Sequence, residues 1–128
     1  MQITHYCNSF NSFKVGNSTL VCDPWVGEAA QTAWVSFPVH EKGGKFLDNL
    51  NPDFVYISHL HCDHLDPKTL SGLKNKNIKI IIKKFKIPLL KKQIQQLGFT
   101  NICEYEPWTK YKLNKDISFA IIPQMSSN

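Results

Sequence analysis

The chain has 128 residues, of which 42% are hydrophobic and 20% charged, values that fit one small globular domain and exclude a wholly disordered chain. The formal net charge is +5 and every basic residue is lysine. Because arginine supplies the bidentate fork that binds phosphate and guanine, its absence disfavours a sequence-specific nucleic-acid-binding protein.

The amino-terminal part of the chain predicts short antiparallel strands. The segments "QITHYCNSF", "NSFKV" and "STLVCD" are rich in strand-forming residues, and Gly16-Asn17 offers a hairpin turn between the second and the third. Residues 23–44, "DPWVGEAAQTAWVSFPVHEKGG", then form a predicted loop that is rich in proline, glycine and aromatic residues. Loops of this length inside compact domains are usually functional.

The rest of the chain alternates strands and helices. We predict a short helix in "KFLDNL", a strand in "DFVYISH", a helix that starts in "DPKTLSGLKN", a buried strand in "IKIIIKK" and an amphipathic helix in "IPLLKKQIQQLG". Asp66 is the expected N-cap of the middle helix, with Pro67 at its first position. The last strands are expected in "NICEY", "YKLN" and "ISFAII".

Location and partners are constrained more weakly. No apolar run approaches the ~20 residues that cross a bilayer, and the first residues do not have the layout of a signal peptide. The four cysteines are widely spaced and include no CxxC pair, which favours reduced thiols and a cytoplasmic protein. The lysines of "KNKNIKIIIKKFKIPLLKK" alternate with core positions, so we interpret them as solvated faces rather than a nucleic-acid or anionic-lipid surface.

The histidines are the most informative residues. Three of the five lie in "HLHCDH", residues 59–64, directly after a predicted strand. In an extended chain, His59, His61 and Asp63 would point to one side, and a turn into the following helix would bring His64 to the same place. Three imidazoles and a carboxylate at a strand's carboxyl end predict a site for a borderline metal such as zinc. The alternative is a set of structural histidines, which is how we interpret His5 and His40.

These residues match the HxHxDH motif, and the chain thereby resembles the metallo-β-lactamase superfamily. "LVCDPWVGEAAQTAW", with Asp23, is similar to the early strand of that superfamily that ends in aspartate. Within it, "DPW" and "YISHLHCDHL" look most similar to the CMP-N-acetylneuraminate hydroxylases, with the ascorbate-phosphate lactonases and N-acyl-phosphatidylethanolamine phospholipases D as close alternatives. The resemblance implies an α+β fold, the four-layer αβ/βα sandwich.

The resemblance also implies a site with two divalent metal ions, most often zinc, with iron or manganese as alternatives. His59 and His61 would bind the first ion, and Asp63 and His64 the second; Asp63 is the candidate catalytic residue, as general base or ligand. Asp23 would orient the histidines without binding metal. Trp25 and Trp34, with Phe37, are weaker candidates for the wall of a small-molecule substrate pocket.

The chain departs from the family pattern after His64, because it contains no later histidine. We therefore expect residues 1–128 to be the first half of a two-half fold, truncated at the carboxyl terminus, with an open sheet face that promotes self-association. Cys62-Asp63-His64 is half of a Rieske pattern without its CxxH partner, so we expect no iron–sulfur cluster in this segment.

Three functions follow from the resemblance and its departure. The first is a metal-dependent hydrolase of esters, lactones or phosphodiesters. The second is the metal-binding domain of an oxygenase similar to the CMP-sialic-acid hydroxylases, with its redox cluster on another segment. The third is a non-catalytic half-domain that requires a partner.

Overall fold

A six-stranded mixed sheet forms the centre of the computed structural model, which describes residues 1–29, 33–40 and 43–123. The strand order is β1-β2-β3-β6-β7-β8; the β1–β2 and β2–β3 pairs are antiparallel, and β3, β6, β7 and β8 are parallel neighbours. Two small antiparallel ribbons, β4–β5 and β9–β10, accompany the sheet.

The strands are β1 (Gln2–Cys7), β2 (Phe10–Val15), β3 (Ser18–Cys22), β4 (Glu28–Ala29), β5 (Trp34–Val35), β6 (Phe54–Ile57), β7 (Lys79–Lys83), β8 (Ile102–Tyr105), β9 (Lys110–Lys112) and β10 (Ser118–Ala120). The helices are α1 (Gly43–Asn49), α2 (Pro67–Ser71) and α3 (Leu89–Gln96). None of the helices in the described ranges is long and apolar enough to cross a membrane.

Most of the predicted elements are present. Gly16 has a φ of +58° in the turn between β2 and β3, and Asp66 caps α2 with Pro67 in its first turn. One expectation needs correction, because the predicted loop of residues 23–44 contains the β4–β5 ribbon. Its residues 30–32 and 41–42 lie outside the described residues. The helix that starts after Asp66 ends at Ser71.

One face of the sheet packs against all three helices. Val21, Val55, Ile57, Ile80 and Ile82 are buried in one cluster with side chains of the helices, namely Leu47, Leu70, Leu90 and Ile94. Each such side chain contributes about 1.5–3 kcal/mol when it leaves water. This face is the hydrophobic core, and it fixes the strand ends that carry the histidine loop.

The opposite face of the sheet is also apolar. Its residues are Phe13, Leu20, Cys22, Tyr56 and Ile81, and together with Phe119 to Ile122 they line an open cavity of about 380 Å³. Burial raises the pKa of the Cys22 thiol to about 12, and Asp23 next to it adds to the effect. The described residues therefore give a mixed α/β unit with helices on one face, while the four-layer sandwich stays a prediction.

The N-cap of α2 is the first test of this arrangement. Asp66 accepts hydrogen bonds from the Lys68 and Thr69 amides, both at 3.1 Å, and from the Thr69 hydroxyl. Asp66→Ala should lower the free energy of unfolding by about 2 kcal/mol, whereas Asp66→Asn, which retains a capping oxygen, should lose much less. Urea unfolding followed by circular dichroism measures both, and equal losses in the two variants would contradict the capping role.

The apolar sheet face leads to a second test. If copies of the chain associate through this face, Leu20→Lys should raise the dissociation constant about tenfold, because burial of one leucine is worth about 1.5 kcal/mol or more. Leu89→Lys is the matched control, since Leu89 is 51% exposed on α3. Sedimentation equilibrium gives both constants. The same constant for Leu20→Lys and the parent would exclude this face as the site of association.

Candidate metal centre

The histidine loop begins where β6 leaves the sheet. β6 ends at Ile57, and the amides of His64 and Leu65 both donate to the carbonyl of His61, at 2.9 and 2.8 Å. Residues 61–65 therefore form a tight turn. The predicted strand alternation across residues 59–63 was wrong, because this hydrogen-bonded turn replaces the extended backbone. The turn brings the histidines together instead.

The Asp23 carboxylate anchors this loop. Asp23 follows β3, is 7% exposed and has a φ of +45°. One of its oxygens accepts the Ser58 amide at 2.7 Å; the other accepts the Ser58 hydroxyl at 2.8 Å and His64 Nδ1 at 2.9 Å. These contacts hold the start of the loop and one histidine in place, and the role of Asp23 in orienting metal-bound histidines stays a prediction.

The same network assigns two histidine tautomers. A carboxylate only accepts hydrogen bonds, so His64 Nδ1 carries the proton that it shares with Asp23. The Ser58 hydroxyl donates its single proton to Asp23 and therefore accepts from His59 Nδ1, 2.8 Å away. The Nε2 atoms of His59 and His64 are consequently free of protons and able to bind a cation.

The four candidate ligands form two pairs. His59 Nε2 lies 3.0 Å from His61 Nδ1, and His64 Nε2 lies 3.6 Å from an Asp63 carboxylate oxygen. The rings of His59 and His64 are 4.1 Å apart between centroids, so the two pairs adjoin. Two ligands ~2.0–2.1 Å from a tetrahedral ion lie about 3.3–3.4 Å apart, a separation between those of the two pairs.

Neither pair is completed by a third ligand in this structure. Across residues 1–29, 33–40 and 43–123, no group of three or more His, Cys, Asp or Glu side chains is arranged to hold a metal ion. His5 instead contacts Asn11, and His40 contacts the Tyr6 carbonyl and the Phe46 ring. These contacts agree with the structural roles expected for both.

The imidazole of His59 is biased towards its neutral form. Burial lowers the pKa of His59, and the neighbouring His64 and His61 lower it further, while Asp23 and Asp63 act weakly in the opposite direction. Metal ions bind the neutral imidazole, so a lowered pKa favours a ligand that does not first have to release a proton.

The two tryptophans differ in exposure, and neither lines the two cavities described beside the histidines. Trp25 is buried, with 1% of its surface exposed, and Trp34 and Phe37 are on the surface. Neither of the two cavities next to His59 and His61 is lined by any of the three. The geometry thus gives no support to Trp25 and Trp34 as walls of a substrate pocket.

Ser58 is the site residue that sequence reasoning missed. It bonds to Asp23 through both its amide and its hydroxyl, and to His59 through that hydroxyl. The available signal was its position, directly between a buried strand and the first histidine. A serine at a strand end is so common that this signal is weak.

Sequence comparison finds relatives of two kinds, and no family model matches the chain. A "Putative Rieske 2Fe-2S iron-sulfur protein" of Mycobacterium tuberculosis is 32% identical over 126 residues, which cover 95% of this chain and 24% of the relative. The cytidine monophosphate-N-acetylneuraminic acid hydroxylase of Asterias rubens is 33% identical over 129 residues, covering 95% and 19%. The chain spans about a quarter or less of the length of these relatives.

Structure comparison finds hydrolases. The isothiocyanate hydrolase from Delia radicum gut bacteria superposes with a TM-score of 0.62 at 22% identity, over 87% of this chain and 42% of that one. A possible metal-dependent hydrolase from Veillonella parvula gives 0.59 at 19% identity, over 88% and 45%. At these identities the likeness concerns the fold, and the fold of this chain is that of a part of these hydrolases.

The hydrogen-bond network predicts observable tautomers. In the metal-free protein at pH 8, His59 and His64 should both carry the proton on Nδ1. Asp23→Ala should abolish that preference at His64, because the carboxylate that accepts the proton is gone. Long-range ¹H–¹⁵N correlation spectra of the imidazoles distinguish the tautomers.

Asp53→Ala is the matched control for this test. Like Asp23, Asp53 accepts a hydrogen bond from a backbone amide, that of Thr19 at 2.7 Å. Asp53 lies at the opposite end of the β3–β6 pair from the histidines. It should leave both tautomers unchanged. Protonation of Nε2 in the parent protein would refute the proposed network.

Proposed function

We propose that this chain supplies the histidine-bearing half of the metal site of a metallo-β-lactamase-fold hydrolase that cleaves an ester, lactone or phosphodiester. The observation that carries the proposal is the pairing of candidate ligand atoms, His59 with His61 and His64 with Asp63, at separations of 3.0 and 3.6 Å. Support also comes from the fold shared with a possible metal-dependent hydrolase.

The four side chains would supply part of the coordination of two divalent cations, since across the described residues no third ligand completes either pair. His59 Nε2 and His61 Nδ1 would hold one ion once the proton that His61 Nδ1 donates to His59 Nε2 has moved to His61 Nε2. His64 Nε2 and Asp63 would hold the other. Imidazole nitrogens with one carboxylate suit zinc, and they also suit iron or manganese. When bound, zinc would lower the pKa of a water molecule to ~7, and any of these ions would polarise a carbonyl or phosphoryl oxygen.

The other residues of the site act by position. Asp23 and Ser58 hold the Nδ1 sides of His59 and His64, which keeps both Nε2 atoms directed away from that network. Hydrogen bonds of this type typically change metal affinity by about 10–100-fold. Asp63 is partly exposed, with 28% of its side chain accessible, and we propose it as the residue that binds the second ion or accepts a proton from substrate or water.

A second function is favoured by the sequence relatives. Both kinds of relative bear names of iron–sulfur or hydroxylase proteins, at 32% and 33% identity over 95% of this chain. The chain would then be the metal-binding domain of an oxygenase whose redox cluster lies on another segment. The coding sequence on both sides distinguishes the two: a CxH and CxxH pair upstream favours the oxygenase, and further histidine and aspartate ligands downstream without it favour the hydrolase.

Metal retention tests the ligand assignment directly. Purified protein loaded with zinc and dialysed should retain metal, measured by plasma emission spectroscopy, whereas the double variant His59→Ala/His61→Ala should retain at most the second ion. The matched control is His5→Ala/His40→Ala, which also removes two imidazoles but none of the candidate ligands. Unchanged metal content in the first variant, or equal loss in the control, would refute the assignment.

A further inference from the structure

Two cavities flank the histidine pair, and they share three residues. His59, His61 and Phe85 line both. The smaller cavity, of about 260 Å³, is otherwise apolar and is completed by Leu60, Ile87, Leu89 and Leu90. The larger cavity, of about 430 Å³, is of mixed character: Ser58, Tyr56 and Lys83 line it together with the apolar residues Ile121, Ile122 and Pro123. A molecule at the histidines would therefore face an apolar wall on one side and a lysine on the other.

Lys83 owes this position to the sheet. It is the last residue of β7, whose parallel neighbour β6 ends at Ile57 beside Ile82. Carboxyl ends of parallel strands meet at one edge, so Lys83 lies at the edge from which the histidine loop departs. Its Nζ lies 4.4 Å from the centroid of the Phe85 ring, a contact that holds the ammonium group beside the cavity.

Among the described residues, Lys83 forms no ion pair with a carboxylate. In the part of the chain that the structure describes, the lysines in ion pairs are Lys74, Lys84 and Lys91. Lys84, the next residue, pairs with Glu106 on the outside, 2.6 Å away. An ordinary solvated lysine would resemble Lys84, whereas Lys83 is half-buried and lines the cavity that contains the candidate metal ligands.

We propose that Lys83 recognises an anionic group, a carboxylate or a phosphate, on the substrate of this site, while an apolar part of the same molecule packs against Phe85. The proposal rests on the proposed function, because it names the substrate class of that site. Lys83 is a specificity residue: its ammonium group would position the molecule without taking part in bond cleavage.

Three small probes separate charge from shape. Benzoate, phenyl phosphate and benzyl alcohol all contain a phenyl ring. Benzoate carries a carboxylate, phenyl phosphate carries a phosphate, and benzyl alcohol is uncharged. Each is titrated into the metal-free protein, and dissociation constants are taken from NMR shifts of the Phe85 ring and the Lys83 side chain. At least one anion should bind more tightly than benzyl alcohol; which of them does so identifies the chemistry recognised.

Substitutions then locate the charge. Lys83→Gln should weaken binding of the preferred anion about tenfold without affecting benzyl alcohol, and Lys83→Arg should restore most of it. The matched control is Lys79→Gln, which removes the same charge at the other end of β7, four residues away and on the same face of the strand. It should leave every constant unchanged.

Several outcomes would overturn the proposal. The first is the same dissociation constant for the anion in Lys83→Gln and in the parent. The second is a Lys79→Gln variant that weakens anion binding as much as Lys83→Gln does. The third is a parent protein that binds neither anion more tightly than benzyl alcohol. If Lys83→Gln does not fold, the parent titration decides, because anion binding without a shift at Lys83 excludes the role. Metal retention is measured separately on Lys83→Gln. A variant that loses anion binding but retains metal shows that anion recognition and metal binding are separate properties.

Discussion

The Asp23 carboxylate is the interaction on which the site depends. It lies at the end of β3, and its amide donates to the Tyr56 carbonyl at 2.9 Å, which continues the β3–β6 pairing by one residue. A nearly buried carboxylate is costly unless its oxygens are satisfied, and here the Ser58 amide, the Ser58 hydroxyl and His64 satisfy them. One side chain thus joins two strands and sets two histidine tautomers.

The segment after Asp23 and the helix after the histidines are also joined by hydrogen bonds. The Thr69 hydroxyl donates to Asp66 and accepts from the Val26 amide at 3.2 Å, so the cap of α2 is tied to the segment that follows Asp23. The histidine turn lies between these two fixed points, Ser58 at its start and Asp66 at its end. Its geometry is therefore set by side-chain hydrogen bonds at both ends of the turn, which is how a short loop can present imidazoles in one arrangement.

The sequence identified the parts of this site that are local. The Asp66-Pro67 cap and the Gly16-Asn17 turn are short-range patterns, and the structure has both as predicted. HLHCDH is also a short-range pattern, and its role as a metal site stays a prediction. The predicted strand alternation across the histidines was wrong, because hydrogen bonds to the His61 carbonyl form a turn there. The amino-acid composition of this segment does not decide between a turn and a strand. Lys83 and Phe85 could not be foreseen, since their approach to His59 depends on the order of the parallel strands.

That order explains why distant residues share one site. Asp23, Ser58 and Lys83 stand at or directly after the carboxyl ends of β3, β6 and β7, three adjacent parallel strands. They are separated by tens of residues in sequence, yet neighbouring parallel strands are only ~4.8 Å apart. The sheet thereby places an anchoring carboxylate, a histidine loop and a lysine ammonium group in a row along one edge. The apolar core beneath that edge, which includes Val21 and Ile82, keeps the strands from shifting relative to one another, so the order of these residues is fixed by the packing of the sheet.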